Sequence, residues 1–192
     1  SMWKAILSPD FFSTILRSAT PILFATLASA IAAKSGICNM ALEGIMLFSA
    51  LFGVIFSSLT HSAWLGLLIT MVIGGLIGMI LAFFILNLKT DEILAAIAIN
   101  LTATGGTVLL LVAVSGDRGV SSSIRSVSAP SVVIPFVEKI PFIGSILSGQ
   151  NVLTWLSILA VILLHLFLYK TPLGLAIRAV GENKNAAESV GI

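Results

Sequence analysis

Charge is what this sequence has least of. Only 9% of its 192 residues are Asp, Glu, Lys or Arg, against about 25% in an ordinary soluble domain. That is too little to cover the surface of a water-soluble fold of this length. With 58% hydrophobic residues and a mean hydropathy of +1.14, the chain suits lipid as its solvent. The formal net charge of +2 comes without any run of Lys or Arg, which argues against a nucleic-acid surface. The single cysteine, Cys38, excludes an internal disulfide and reads as a small apolar packing residue. With only two histidines, far apart in sequence, no metal cluster is expected. The phosphate loop G-x-x-x-x-G-K-[ST], the zinc pattern H-E-x-x-H and the nucleophile turn G-x-S-x-G are all missing. The chain is therefore expected not to be an enzyme and to hold no cofactor of its own. No separable signal peptide is recognisable before the first apolar stretch.

What is present is a series of long apolar stretches. A helix needs about 20 apolar residues to cross a bilayer. Five segments qualify: residues 11–33 (interrupted by Arg17 and Pro21), 45–60, 63–88, 93–114 and 152–169. Their residues are apolar all round, without the alternation of a barrel strand, and an open sheet would leave backbone groups unpaired in lipid. The expected fold class is all-α: a polytopic transmembrane helix bundle of about five spans, forming one membrane domain over residues 1–192.

The connections differ in kind. Residues 87–92 form a tight charged turn, where Thr90 could cap the fourth span and Asp91 and Glu92 suit its N-terminal dipole. Residues 115–151 form a long connection rich in Gly, Ser and Pro, containing an apolar run at residues 140–147 too short to span. Residues 170–192 are the longest polar run and look helical near Ala186 and Ala187. The positive-inside rule does not orient the chain. Lys34, Lys89, Lys170, Arg178 and Lys184 fall on one side, and Lys4, Arg17, Arg118, Arg125 and Lys139 on the other.

Spans associate through close packing of small residues and through polar contacts. Gly74 and Gly78 form a GxxxG step in the third span; Ser49, Gly53 and Ser57 repeat every four residues in the second, and Pro21, Ala25 and Ser29 in the first. These read as packing faces, with a pore lining as the alternative. In the fourth span Asn100, Thr104 and Thr107 share a helical face with Ala96 and Ala103. An amide in lipid must be partnered or wet, so this face reads either as an interhelical hydrogen bond or as a hydrophilic path. Asn39 and Glu43 are four apart, which a helix would place on one face. They read either as a helix start at the interface, with Lys34 the nearest counter-ion, or as an element beside a path. His165 reads as a packing residue rather than a proton relay, and His61 as a turn residue.

The run Gly36-Ile37-Cys38-Asn39-Met40-Ala41-Leu42-Glu43-Gly44-Ile45-Met46 resembles the G-x-x-N-x-x-x-E-G-x-M signature of ATP-binding-cassette (ABC) importer permeases for branched-chain amino acids, simple sugars and nucleosides. Two further matches follow in order. Asp91-Glu92-Ile93 leads to Asn100. Thr171-Pro172-Leu173-Gly174 is followed by Arg178-Ala179-Val180-Gly181-Glu182-Asn183, then Ala186-Ala187 and Gly191-Ile192. The Ala-Leu-Glu-Gly and Thr-Pro-Leu-Gly forms look most like nucleoside or simple-sugar permeases.

The resemblance implies a permease subunit of a bacterial plasma-membrane importer, with ATP and Mg bound on a partner ATPase subunit. A second permease subunit and an extracytoplasmic solute-binding protein would complete the assembly. Residues 170–192 would be the cytoplasmic coupling segment, with Thr171, Gly174, Arg178, Gly181, Glu182, Ala187 and Gly191 on matching positions, and residues 115–151 would lie outside. Asn39, Glu43 and Asn100 match polar positions near the translocation region, and Thr104 and Thr107 share the face of Asn100. Members of the family continue past the coupling segment with further spans, so the stop at Ile192 suggests an incomplete permease. Two rival readings stay open: a non-transporting structural subunit, and an ion-coupled transporter in which His165 and Glu43 carry protons.

Overall fold

The computed structural model describes residues 8–116, 124–132 and 148–192. Five helices in it are long and apolar enough to cross a membrane: α1 (Pro9–Lys34), α2 (Leu42–Thr60), α3 (Ala63–Leu86), α4 (Glu92–Ser115) and α5 (Val152–Lys170). Two short helices follow, α6 (Pro172–Glu182) and α7 (Lys184–Ser189). The chain is an all-α, multi-pass membrane protein, as composition and segment length required. The expected span boundaries hold to within three residues. A difference lies in the long connection, where β1 (Ser131–Val132) pairs antiparallel with β2 (Gln150–Asn151). The apolar run at 140–147 lies outside the described residues, as do Lys4, Arg118 and Lys139.

The helix starts follow the sequence punctuation. Ser8, Ser62, Asp91, Asn151, Thr171 and Asn183 each accept a backbone N–H in the first turn of the helix that follows. The cap of α4 is Asp91, not Thr90: its Oδ1 accepts from Ile93 N at 2.9 Å and Leu94 N at 3.1 Å. A carboxylate so placed also meets the positive end of the helix dipole. α2 is the exception, since Ala41 at its N-cap has no side chain to offer.

The helices fall into two compact units, Ser1–Gly36 with Ala129–Ile192, and Ile37–Ser128. In the second unit α2 and α3 form an antiparallel hairpin sealed by small residues. A Cβ on Gly74 would approach Ser49 Oγ to 3.1 Å, one on Gly53 would strike Thr70 Oγ1, and one on Gly66 would lie 2.7 Å from Ser57 Cβ. The α3 seam is thus Gly66, Thr70 and Gly74, facing Ser57, Gly53 and Ser49. Gly78 is not part of it: nothing stands within 4 Å of its would-be Cβ. The expected GxxxG step therefore fails at Gly78, because the two helices match at residues spaced four apart toward the other end of α3. Ser57 also holds the chain that follows α4, donating to Val127 O at 3.3 Å and accepting from Val127 N at 3.1 Å. α4 closes this unit on α2 around Ala41, Leu81, Ala95 and Ala96.

In the first unit α1 and α5 run side by side. Thr20 and Thr154, both buried, share a hydrogen bond of 3.0 Å, and Gln150 Nε2 donates to Ser13 Oγ at 2.7 Å. Pro21, expected at the packing face, is exposed, one position round the helix from buried Thr20.

Candidate functional site

Two constellations draw together the residues singled out from sequence. The first surrounds the uncapped start of α2. The orphan N–H groups there need acceptors. Asn39 supplies one locally, its Oδ1 accepting from Ala41 N at 3.1 Å. It does so from a turn before the helix, so Asn39 and Glu43 do not share a helical face. The second acceptor comes from α4. Asn100 Oδ1 accepts from Gly44 N at 2.8 Å, and its Nδ2 donates to Met40 O at 2.9 Å. Asn100 is thus the N-cap that α2 lacks, delivered across an interhelical contact. Gly44 permits it: a Cβ there would lie 2.8 Å from Asn100 Oδ1 and 3.0 Å from Ile99 O. Asn100 thus makes the interhelical bond of the first of its two readings. Ala96 and Ala103 on the same face are fully packed, at 1% and 0% exposure. Glu43 is exposed in the first turn of α2, where its charge suits the dipole.

Thr104 and Thr107 do open onto a common space. With Leu47, Ala50 and Val54 of α2 they line a groove of about 310 Å3 within this unit. Their hydroxyls donate to the carbonyls of Asn100 and Ala103, at 2.8 and 2.6 Å. Each oxygen keeps acceptor capacity toward the groove. These four-residue back-bonds let hydroxyls sit on a lipid-depth helix without stranding a donor.

The second constellation joins α6 to the ends of two spans. Thr171 serves both helices at their corner, donating to Phe167 O at 2.6 Å and accepting from Gly174 N at 3.1 Å. Pro172 at the first helical position has no N–H to satisfy. Gly174 is buried, and a Cβ there would come to 2.6 Å from Leu168 Cα. Arg178 folds back on the same corner, Nε donating to Leu168 O at 3.0 Å while the guanidinium lies 4.7 Å over the Tyr169 ring. A cation there satisfies an orphan carbonyl and the negative end of α5. Gly181 abuts the end of α1: a Cβ would strike Lys34 O and lie 3.1 Å from Gly36 N. Gly36 sits at φ 85°, a left-handed conformation suited to glycine. Asn183 ends α6 and caps α7, on which Ala187 is buried. Glu182 and Gly191 are exposed.

Of the residues expected in a coupling role, Thr171, Gly174, Arg178 and Gly181 thus hold the segment to the spans. Lys34 and Tyr169 join them without having been singled out for it; the signal was their place at span ends. His165, expected to be packed, is exposed, its ring 5.0 Å from that of Tyr169.

Residues 11–192 match the model of a family described as branched-chain amino acid transport system / permease component. The chain is 30% identical over 181 residues to a putative glucose ABC transporter permease protein of Haloferax volcanii, covering 92% of this chain and 53% of that one. It is 32% identical over 189 residues to a nucleoside ABC transporter permease protein of Lactococcus lactis, covering 94% and 58%. A guanosine ABC transporter permease protein of Bacillus subtilis is 31% identical over 185 residues, covering 91% and 56%. The chain therefore spans little more than half the length of these relatives. No solved structure gives a significant match.

Proposed function

The chain belongs to the branched-chain amino acid transport system permease family, and on that premise we propose that it forms part of the solute pathway of an ABC importer in a bacterial plasma membrane, taking a nucleoside or simple sugar. ATP hydrolysis, with its Mg, takes place on a partner ATPase subunit. A second permease subunit completes the pathway, and an extracytoplasmic binding protein delivers the solute. The names of the relatives support the solute class.

The observation that carries the mechanism is the anchoring of α6. A segment that transmits force must be stiffly joined to what it moves. α6 is tied to α5 by Thr171, Gly174 and Arg178, and it touches the end of α1 backbone to backbone at Gly181. Its outward residue Leu173 is 68% exposed, an apolar contact point for the ATPase. A push on α6 would then tilt α1 and α5 rather than be absorbed in a loose loop. Within the other unit, the Asn100 clasp makes α2 and α4 move together, and the Thr104–Thr107 groove offers hydroxyl acceptors to a polyhydroxylated solute.

Reconstitution with the ATPase partner tests this. Solute-stimulated ATP turnover and ATP-dependent uptake are expected. Glu182→Arg, at an exposed position, should weaken ATPase association while the helices stay inserted. Uptake that persists without ATP, or unaltered association of both Glu182→Arg and Gly181→Leu, would refute the proposal.

A further inference from the structure

The ends of α1 and α5 enclose, with α6, a cavity of about 400 Å3, wholly inside the unit formed by Ser1–Gly36 and Ala129–Ile192. Its walls combine three charged side chains, Lys34, Arg178 and Glu182, with Tyr169 and the apolar Ala33 and Leu175. Lys34 closes one membrane-spanning helix, and Tyr169 stands next to the last residue of another. The cavity therefore lies where hydrocarbon gives way to headgroups, the level at which tyrosine collects and lysine anchors span ends.

Its charges are largely uncommitted. Arg178 spends Nε on Leu168 O and rests on Tyr169, which fixes the guanidinium and leaves its terminal amino groups available. Among the described residues, the Lys34 ammonium and the Glu182 carboxylate have neither an ion-pair nor a hydrogen-bond partner. An anion alone would meet Glu182 and the negative C-terminal ends of α1 and α5. A cation alone would meet Lys34 and Arg178. A group carrying both signs satisfies all three, because a planar guanidinium and an ammonium suit phosphate oxygens, and a carboxylate suits a primary ammonium.

We infer that this cavity holds the headgroup of a membrane lipid that links a phosphodiester to a primary amine. The phosphate lies on Arg178 and Lys34, the amine on Glu182, and the acyl chains follow the apolar flanks of the spans. This requires only that the chain sits in a bilayer; it does not depend on transport or on the ATPase.

The test uses the purified full chain in detergent, without partner subunits. Lipid retained is counted by native mass spectrometry after mixing with phosphatidylethanolamine, phosphatidylglycerol or phosphatidylcholine of matched acyl chains. Phosphatidylethanolamine should be retained roughly tenfold over the other two, the worth of one charge-assisted hydrogen bond. Glu182→Gln should erase that preference, and Lys34→Gln should weaken retention of all three. Among the described residues neither side chain has a partner, so both variants should keep full helicity by circular dichroism. Equal or absent retention of the three lipids, or an undiminished preference in Glu182→Gln, overturns the inference. So does displacement by free phosphoethanolamine at the lipid's own concentration, which would make the ligand a soluble molecule.

Discussion

Replacing Asn100 with alanine should loosen the start of α2 from α4 without touching the rest of the fold. The substitution removes two interhelical hydrogen bonds, at 2.8 and 2.9 Å. It leaves Gly44 N–H and Met40 C=O without side-chain partners at a helix end that has no cap of its own. A hydrogen bond contributes about 0.5–1.5 kcal/mol net in proteins, and interhelical bonds in membranes average about 0.6 kcal/mol. Two bonds together are worth about 1–3 kcal/mol, a shift of roughly 5- to 150-fold in the unfolding equilibrium. Gly44→Ala should cost a similar amount by a different route. Its Cβ would sit 3.0 Å from Ile99 O and 3.1 Å from Asn100 Cα, so backbone must move and the same bonds lengthen. Because both variants break one contact, the double variant should cost well under the sum of the singles. Equilibrium unfolding in mixed micelles, followed by circular dichroism, measures all three. A cost below about 0.5 kcal/mol for Asn100→Ala, or strict additivity with Gly44→Ala, would refute the capping role.

The other predictions concern the two seams and the groove. Gly66→Leu should disrupt the α2–α3 hairpin by about 2 kcal/mol or more, since its Cβ already meets Ser57 Cβ at 2.7 Å, whereas Gly78→Leu, facing open space, should be neutral or slightly stabilising through helix propensity; parallel unfolding curves separate them. Arg178→Gln should cost about 1–2 kcal/mol by freeing Leu168 O and losing the Tyr169 contact, and Arg178→Lys should restore only part of it, being unable to reproduce the planar fork; thermal unfolding of the purified chain reads this directly. Thr104→Val with Thr107→Val, which keeps side-chain shape in the groove, should raise the KM for uptake in the reconstituted importer while leaving assembly and basal ATP turnover unchanged. An unaltered KM would remove those hydroxyls from the solute path.

Much of this was legible in the residues. α5 could be found because an 18-residue apolar stretch ends at Lys170 and is followed by Thr-Pro, which stops one helix and starts another. α1 survived Arg17 and Pro21 because both are exposed and the helix around them is long. Thr90 and Asp91 carry equally good capping chemistry for α4, and only backbone geometry chooses Asp91. The resemblance singled out Thr171, Gly174 and Arg178 without saying what they touch; in the fold each bonds to residues ten or fewer positions away, at the corner between α5 and α6.

Sequence by itself determined that the chain must live in lipid, which segments are long enough to cross it, and, to within three residues, where those helices begin and stop. Apolar length and local caps are properties of each segment alone, so no partner need be known to read them. Tertiary structure decided which face of each helix packs. In a bilayer, lipid tails are as apolar as leucine, so hydrophobicity no longer marks the inward side. Small residues recur often enough to offer several seams, and Gly66–Thr70–Gly74 prevailed over Gly74–Gly78 because it faces the complementary row on α2. The acceptor that completes the start of α2 stands 56 residues away on another helix, a distance only the packed chain can close.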